Sequence, residues 1–180
     1  MAVQHAYTTQ EFEDFLVEHP DQLFELINGE IVEKMPTQLH AFIVAILTGA
    51  LMNYLRQNPI GRALVEARYD LPDDKLNDRI PDLSFITHEK GALVRKGAAL
   101  YMPDLAVEVQ SPDQGDKLMT DKAAYYLAHG TPVVWLVYPE KRIVEVLMLE
   151  DRQLLNENAT LNGGDVLPDF SLPIRDIFAA

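Results

Sequence analysis

Six side chains in this sequence are of types that could work together chemically: Asp82, Glu108, Gln110, Lys122, Glu25 and Glu30. Asp82 follows Pro81 near the start of an apolar stretch. Glu108 stands inside Leu105-Ala106-Val107-Glu108-Val109, where every neighbour is apolar. A carboxylate in a packed strand is paired, protonated or bound to a metal, because an isolated buried charge is too costly to keep. Converging carboxylates repel, and a divalent cation relieves the repulsion. An oxygen-only donor set favours Mg²⁺ or Mn²⁺ over zinc. Lys122 allows two readings. Beside such a cation it could orient or deprotonate water and balance charge on a scissile phosphate, or it could be a snorkelling lysine paired with a nearby acid.

The elements that must carry these residues are legible from periodicity. Thr8 and Glu11 have capping-box spacing, and Phe12, Phe15 and Leu16 recur at helical intervals until His19-Pro20. Asn28-Gly29 between two alternating runs signals a β-hairpin. Its two-residue turn pairs Ile27 with Glu30 and Glu25 with Val32, which puts Glu25 and Glu30 on one face of the ribbon.

The segment Gln38–Gln57 is apolar nearly all round and predicts a helix packed between layers, with His40 in its first turn. Strands are expected over 63–69 and 79–86, with Pro81 at the beginning of the second or at a sheet edge. Residues 87–101 carry no assignable pattern. Residues 103–110 alternate, with Leu105, Val107 and Val109 on one face and Ala106, Glu108 and Gln110 on the other. A helix over 116–129 is closed by Gly130 and puts Lys122 on a face with Leu118, Tyr125, Tyr126 and His129. Strands at 133–138 and 143–149 follow, then short strands and turns. This is an α/β (α+β) chain with one mixed central sheet flanked by helices and an N-terminal β-hairpin, expected to form a single domain over residues 1–180.

Composition bounds the partners. The 180 residues carry 15 Lys+Arg against 28 Asp+Glu, a formal net charge of −13, so affinity for phosphate must come from local groups or bound metal. Arg62, Arg68, Arg79, Arg95 and Lys96 are the basic residues nearest the acids in sequence. With no cysteine, disulfides, thiolate zinc sites and cysteine nucleophiles are excluded, and a cytoplasmic setting is expected. The start, Met-Ala-Val-Gln-His, lacks the basic and apolar regions of a secretory signal. The most apolar run, 41–52, falls short of the roughly 20 residues that cross a bilayer, so no membrane association is expected. Walker A, GxGxxG, GxSxG, HExxH and EF-hand patterns are absent, and the histidines at 5, 19, 40, 88 and 129 form no i, i+4 pair.

At Phe24-Glu25-Leu26-Ile27-Asn28-Gly29-Glu30-Ile31, the His40 helix, Pro81-Asp82-Leu83-Ser84-Phe85, Pro103 through Pro112, Lys122 to Tyr126 and Gly130 through Val137, the chain resembles the PD-(D/E)XK nuclease superfamily, and within it the Uma-two family of restriction-endonuclease-like proteins. The resemblance implies a restriction-endonuclease-like core and a metal-dependent endonuclease that hydrolyses nucleic-acid phosphodiesters, with DNA as expected substrate. Asp82 and Glu108 would be ligands of Mg²⁺ or Mn²⁺, and Glu25 or Glu30 an additional acid. Gln110 occupies the position where the superfamily carries its lysine, and Lys122 looks like the migrated replacement. A homodimer presenting two sites fits this class. The alternative is a catalytically inactive nuclease-fold protein serving in binding or assembly. A glycosidase-like acid pair is a third reading.

Overall fold

A computed structural model describes residues 5–179; the expectation about the first four residues lies outside them. The chain forms two compact units, one gathering residues up to Met35 with Ala67–Ile80 and Leu93–Met102, the other Pro36–Glu66, Pro81–Ala92 and the chain from Pro103.

In the first unit, helix α1 (Thr9–Glu18) opens on the Thr8/Glu11 capping box. Strands β1 (Phe24–Ile27) and β2 (Glu30–Glu33) form the expected hairpin, with Glu25 opposite Val32 and Ile27 opposite Glu30. Asn28 and Gly29 hold φ of 51° and 80°, the left-handed pair that a two-residue turn requires. Phe12, Phe24 and Leu26 form the core, flanked by Phe15, Leu16 and Ile31. The backbone of Leu26 pairs with Asp78, and Tyr69 pairs with both Arg79 and Ala99, which ties three distant segments together.

Arg68 bridges Glu13 and buried Asp78 in this unit. Burial pushes the Asp78 carboxyl up to about 6, against the lowering effect of the Arg68 guanidinium. An acid whose folded pKa exceeds its unfolded value stabilises the fold below the unfolded pKa and loses that stability as pH rises through the folded one. Between pH 3.8 and about 6, Asp78 therefore withdraws on the order of 2–3 kcal/mol. Urea denaturation of wild type and Asp78→Asn across this window checks it: the stability difference should move against wild type with rising pH, and parallel curves would exclude the effect.

The second unit holds α2 (Gln38–Gln57), β3 (Gly61–Val65), β4 (Leu83–Thr87), β5 (Leu105–Val109), α3 (Asp116–Ala128), β6 (Val133–Tyr138), β7 (Ile143–Leu147), β8 (Arg152–Leu155), β9 (Thr160–Gly163), β10 (Leu167–Pro173) and the short α4 (Ile174–Ile177). Six strands form a mixed sheet in the order β3-β4-β5-β6-β7-β8, and β9 and β10 form a separate ribbon. Only the β5–β6 pair is parallel, as the intervening helix α3 requires. Ile43, Leu47, Leu51 and Leu55 of α2 pack with Leu83, Phe85, Leu105, Val107, Val109 and Trp135.

Several expectations need correction. α2 buries one stripe, while Leu39, Phe42 and Met52 on its other side stay exposed, so it is not enclosed all round. By length and composition this helix could cross a membrane, which counting the uninterrupted apolar run alone did not reveal; its buried stripe rests on the sheet. β3 ends at Val65 because Glu66 turns to φ 51°. β4 begins only after Pro81 and is an internal strand, which answers the choice between strand start and sheet edge. The unassigned segment contains a 3-10 turn at His88–Lys90.

Gly49 sits inside α2 on its exposed side, where an added Cβ would meet nothing within 4 Å. Gly49→Ala should raise stability by about 0.5–1 kcal/mol by restricting the unfolded chain. Chemical denaturation showing a loss instead would mean the position is sterically occupied.

Candidate active site

The site grows from the antiparallel pairing of β4 with β5. Leu83 lies opposite Val107, so one step further the register carries Asp82 across from Glu108. Both are 2% exposed. They sit at the carboxyl end of β5, half of the parallel pair, the end at which α/β sheets commonly bind ligands.

Each carboxylate is held by named donors. Lys122 Nζ donates to Glu108 Oε2 at 2.9 Å and Tyr126 Oη to Oε1 at 2.8 Å. These two donors are four residues apart on α3, one turn along the same face. Glu108 therefore points to α3 while Val107 and Val109 point to the α2 side, as strand alternation demands. Asp82 Oδ2 accepts from the backbone N–H of Val109 at 2.7 Å and from His40 Nε2 at 3.0 Å. Thr37 caps α2 by accepting from the His40 N–H, which fixes the first turn carrying the imidazole.

The sequence candidates fall into three groups. Asp82, Glu108 and Lys122 come together. Gln110 leaves the acids: its amide donates to the Gln114 carbonyl at 2.9 Å and to Asp116 Oδ1 at 3.0 Å. The Lys141 ammonium, with this amide, holds the Asp116 carboxyl below its usual range. Glu25 and Glu30 belong to the first unit. Glu25 is buried and accepts from the Ile80 N–H at 2.9 Å, while Glu30 is exposed beside the turn.

Two contributors were not placed with the acids in the sequence. Tyr126 was visible as the residue one turn beyond Lys122. His40 was visible as a candidate, but nothing in the spacing tied it to Asp82. Of the nearby basic residues, Arg68 is committed to Glu13 and Asp78, Arg79 is buried, and Arg62 donates to the Gly91 carbonyl. Arg95 and Lys96 are exposed.

Two clefts adjoin His40. One is small and also lined by Gln110, Ser111 and Gln114. The other is an open groove of about 530 Å³ that reaches Asp82.

The donor set suits a hard cation. Its ligating atoms are carboxylate oxygens on facing residues, and among the described residues no group of three or more His, Asp or Glu side chains converges. A pair of carboxylates with water and substrate completing the shell matches Mg²⁺ or Mn²⁺ better than a metal needing a full protein cage.

No curated protein matches this sequence. Among solved structures, the chain is similar to "a putative nuclease belonging to DUF820" from Anabaena variabilis ATCC 29413, with a TM-score of 0.81 and 25% identity over 96% of this chain and 97% of that one. Residues 9–175 match the Uma2 family, described as "Putative restriction endonuclease", and with nearly its whole length inside that match the chain belongs to the Uma2 family.

Proposed function

We propose that this protein is a metal-dependent nuclease that hydrolyses phosphodiester bonds in DNA, with Asp82 and Glu108 holding Mg²⁺ or Mn²⁺. The observation that carries the reading is the buried Glu108 clasped by Lys122 and Tyr126 and set across the strand register from Asp82. A carboxylate so enclosed, in a chain of the Uma2 family, has a stated use at a phosphoryl-transfer centre. When bound, the cation supplies Lewis-acid stabilisation of charge on the phosphoryl oxygens.

The protein's own groups do the rest. Lys122 brings a positive charge to an acidic site and, through its remaining N–H bonds, can orient water for in-line attack on phosphorus. Tyr126 keeps the Glu108 carboxylate in one rotamer. His40 and the Val109 N–H fix Asp82 through one oxygen. The leaving 3′-oxygen takes its proton from solvent.

The test is cleavage of supercoiled, linear and single-stranded DNA with Mg²⁺, Mn²⁺ or EDTA. Wild type should cut only with metal. Binding without cutting would support instead a catalytically inactive role, the reading favoured by the Gln110 amide facing Gln114 and Asp116.

A further inference from the structure

The groove reaching Asp82 has an unusual lining for a protein acting on a polyanion. Val44, Ala45 and Gly49 of α2 and Val65 at the end of β3 make its apolar walls, with Thr48 and Glu66 as polar lining. Among the described residues, no lysine or arginine lines it. His40 also lines it, is 6% exposed, and its Nδ1 has no hydrogen-bond partner among the described residues. Glu66 stands in the left-handed region, a conformation that a non-glycine residue keeps only where its surroundings enforce it, and its N–H donates to the Asp82 carbonyl. Gly49 leaves the groove open at a cost to the helix.

We propose that this groove receives the base of an unpaired nucleotide, so that the DNA strand presented to Asp82 is single-stranded; the proposal rests on the nuclease reading above. Phosphates would meet two carboxylates there and no cation. A base is flat and uncharged, has π faces suited to apolar walls, and has polar edges that could meet His40 Nδ1, Thr48 and Glu66. An unpaired strand offers its bases freely, whereas a duplex must first break stacking and pairing. A second copy of the chain is a poorer occupant, because a two-fold contact would set Glu66 and Asp82 against their own counterparts.

Fluorescence anisotropy in EDTA, with a short labelled single-stranded DNA and the same strand annealed to its complement, tests this on wild type, Ala45→Trp and Val65→Trp. Wild type should bind the single strand about 10-fold more tightly than the duplex, and each groove-filling variant should weaken single-strand binding about 10-fold, the effect of losing one stacked base. Thermal melts identify any variant that fails to fold, and the other variant then carries the test. Equal or tighter duplex binding, no binding of the single strand, undiminished binding by folded groove-filled variants, or sedimentation showing that Ala45→Trp breaks a dimer would each overturn the proposal. Cleavage is read separately: single-strand binding lost on groove filling in a protein that never cuts DNA would sink the nuclease reading and leave the groove's ligand standing.

Discussion

Lys122→Met is expected to destabilise the protein in EDTA by roughly 3–5 kcal/mol, the cost of leaving a buried carboxylate without its counter-charge. Both partners of the pair have side chains that are 3% exposed, so solvent cannot replace the missing ammonium. Tyr126 would remain on Glu108 Oε1, but one neutral donor does not balance the charge. Adding Glu108→Met to this variant should recover most of the loss, because two apolar side chains of similar length can replace a buried ion pair at little cost. Urea denaturation of the two single variants and the double variant measures the coupling. A loss below about 1 kcal/mol for Lys122→Met, or no recovery in the double variant, would mean that Glu108 is not held as a charged partner.

Asp82→Asn and Glu108→Gln should each lower the metal-dependent cleavage rate by about 10³-fold or more, since each removes one of the two anionic groups assigned to the cation. The loss should fall on kcat. Both substitutions keep size and hydrogen-bonding capacity, so the fold should persist. His40→Asn acts through Asp82 and should cost less, about 10- to 100-fold, as supporting residues of metal ligands do. Single-turnover cleavage under saturating metal separates these effects, and a folded Glu108→Gln protein with wild-type kcat would remove this residue from the chemistry.

Local pattern carried much of this architecture into view. Asn28-Gly29 determined the hairpin and its register because few other residue pairs accept two successive positive φ values. The run from Val133 to Tyr138 read as a buried strand because it has no polar side to expose, and it is buried along its full length. Glu108 stood out as the lone acid in an apolar strand, and the face shared by Lys122 and Tyr126 followed from helical spacing.

What local pattern could not supply was convergence between distant segments. The Asp82–His40 bond joins a strand entrance to a helix entrance through the packing of α2 on the sheet, which no spacing encodes. The first unit is built from three chain segments joined by isolated backbone bridges, and such bridges leave no periodic trace. The direction of the Gln110 amide depended on the loop before α3, where Gln114 and Asp116 compete for its protons. The exposed side of α2 was misjudged because hydropathy counts apolar residues without saying which of them have a surface to meet.

Calorimetric titration of the metal-free protein with Mn²⁺ addresses the pairing of positions 82 and 108 directly. Wild type should take up the ion at a site that either Asp82→Asn or Glu108→Gln abolishes, and Mg²⁺ should compete for it. No heat of binding to wild type, or uptake that persists unchanged in both variants, would contradict the assignment.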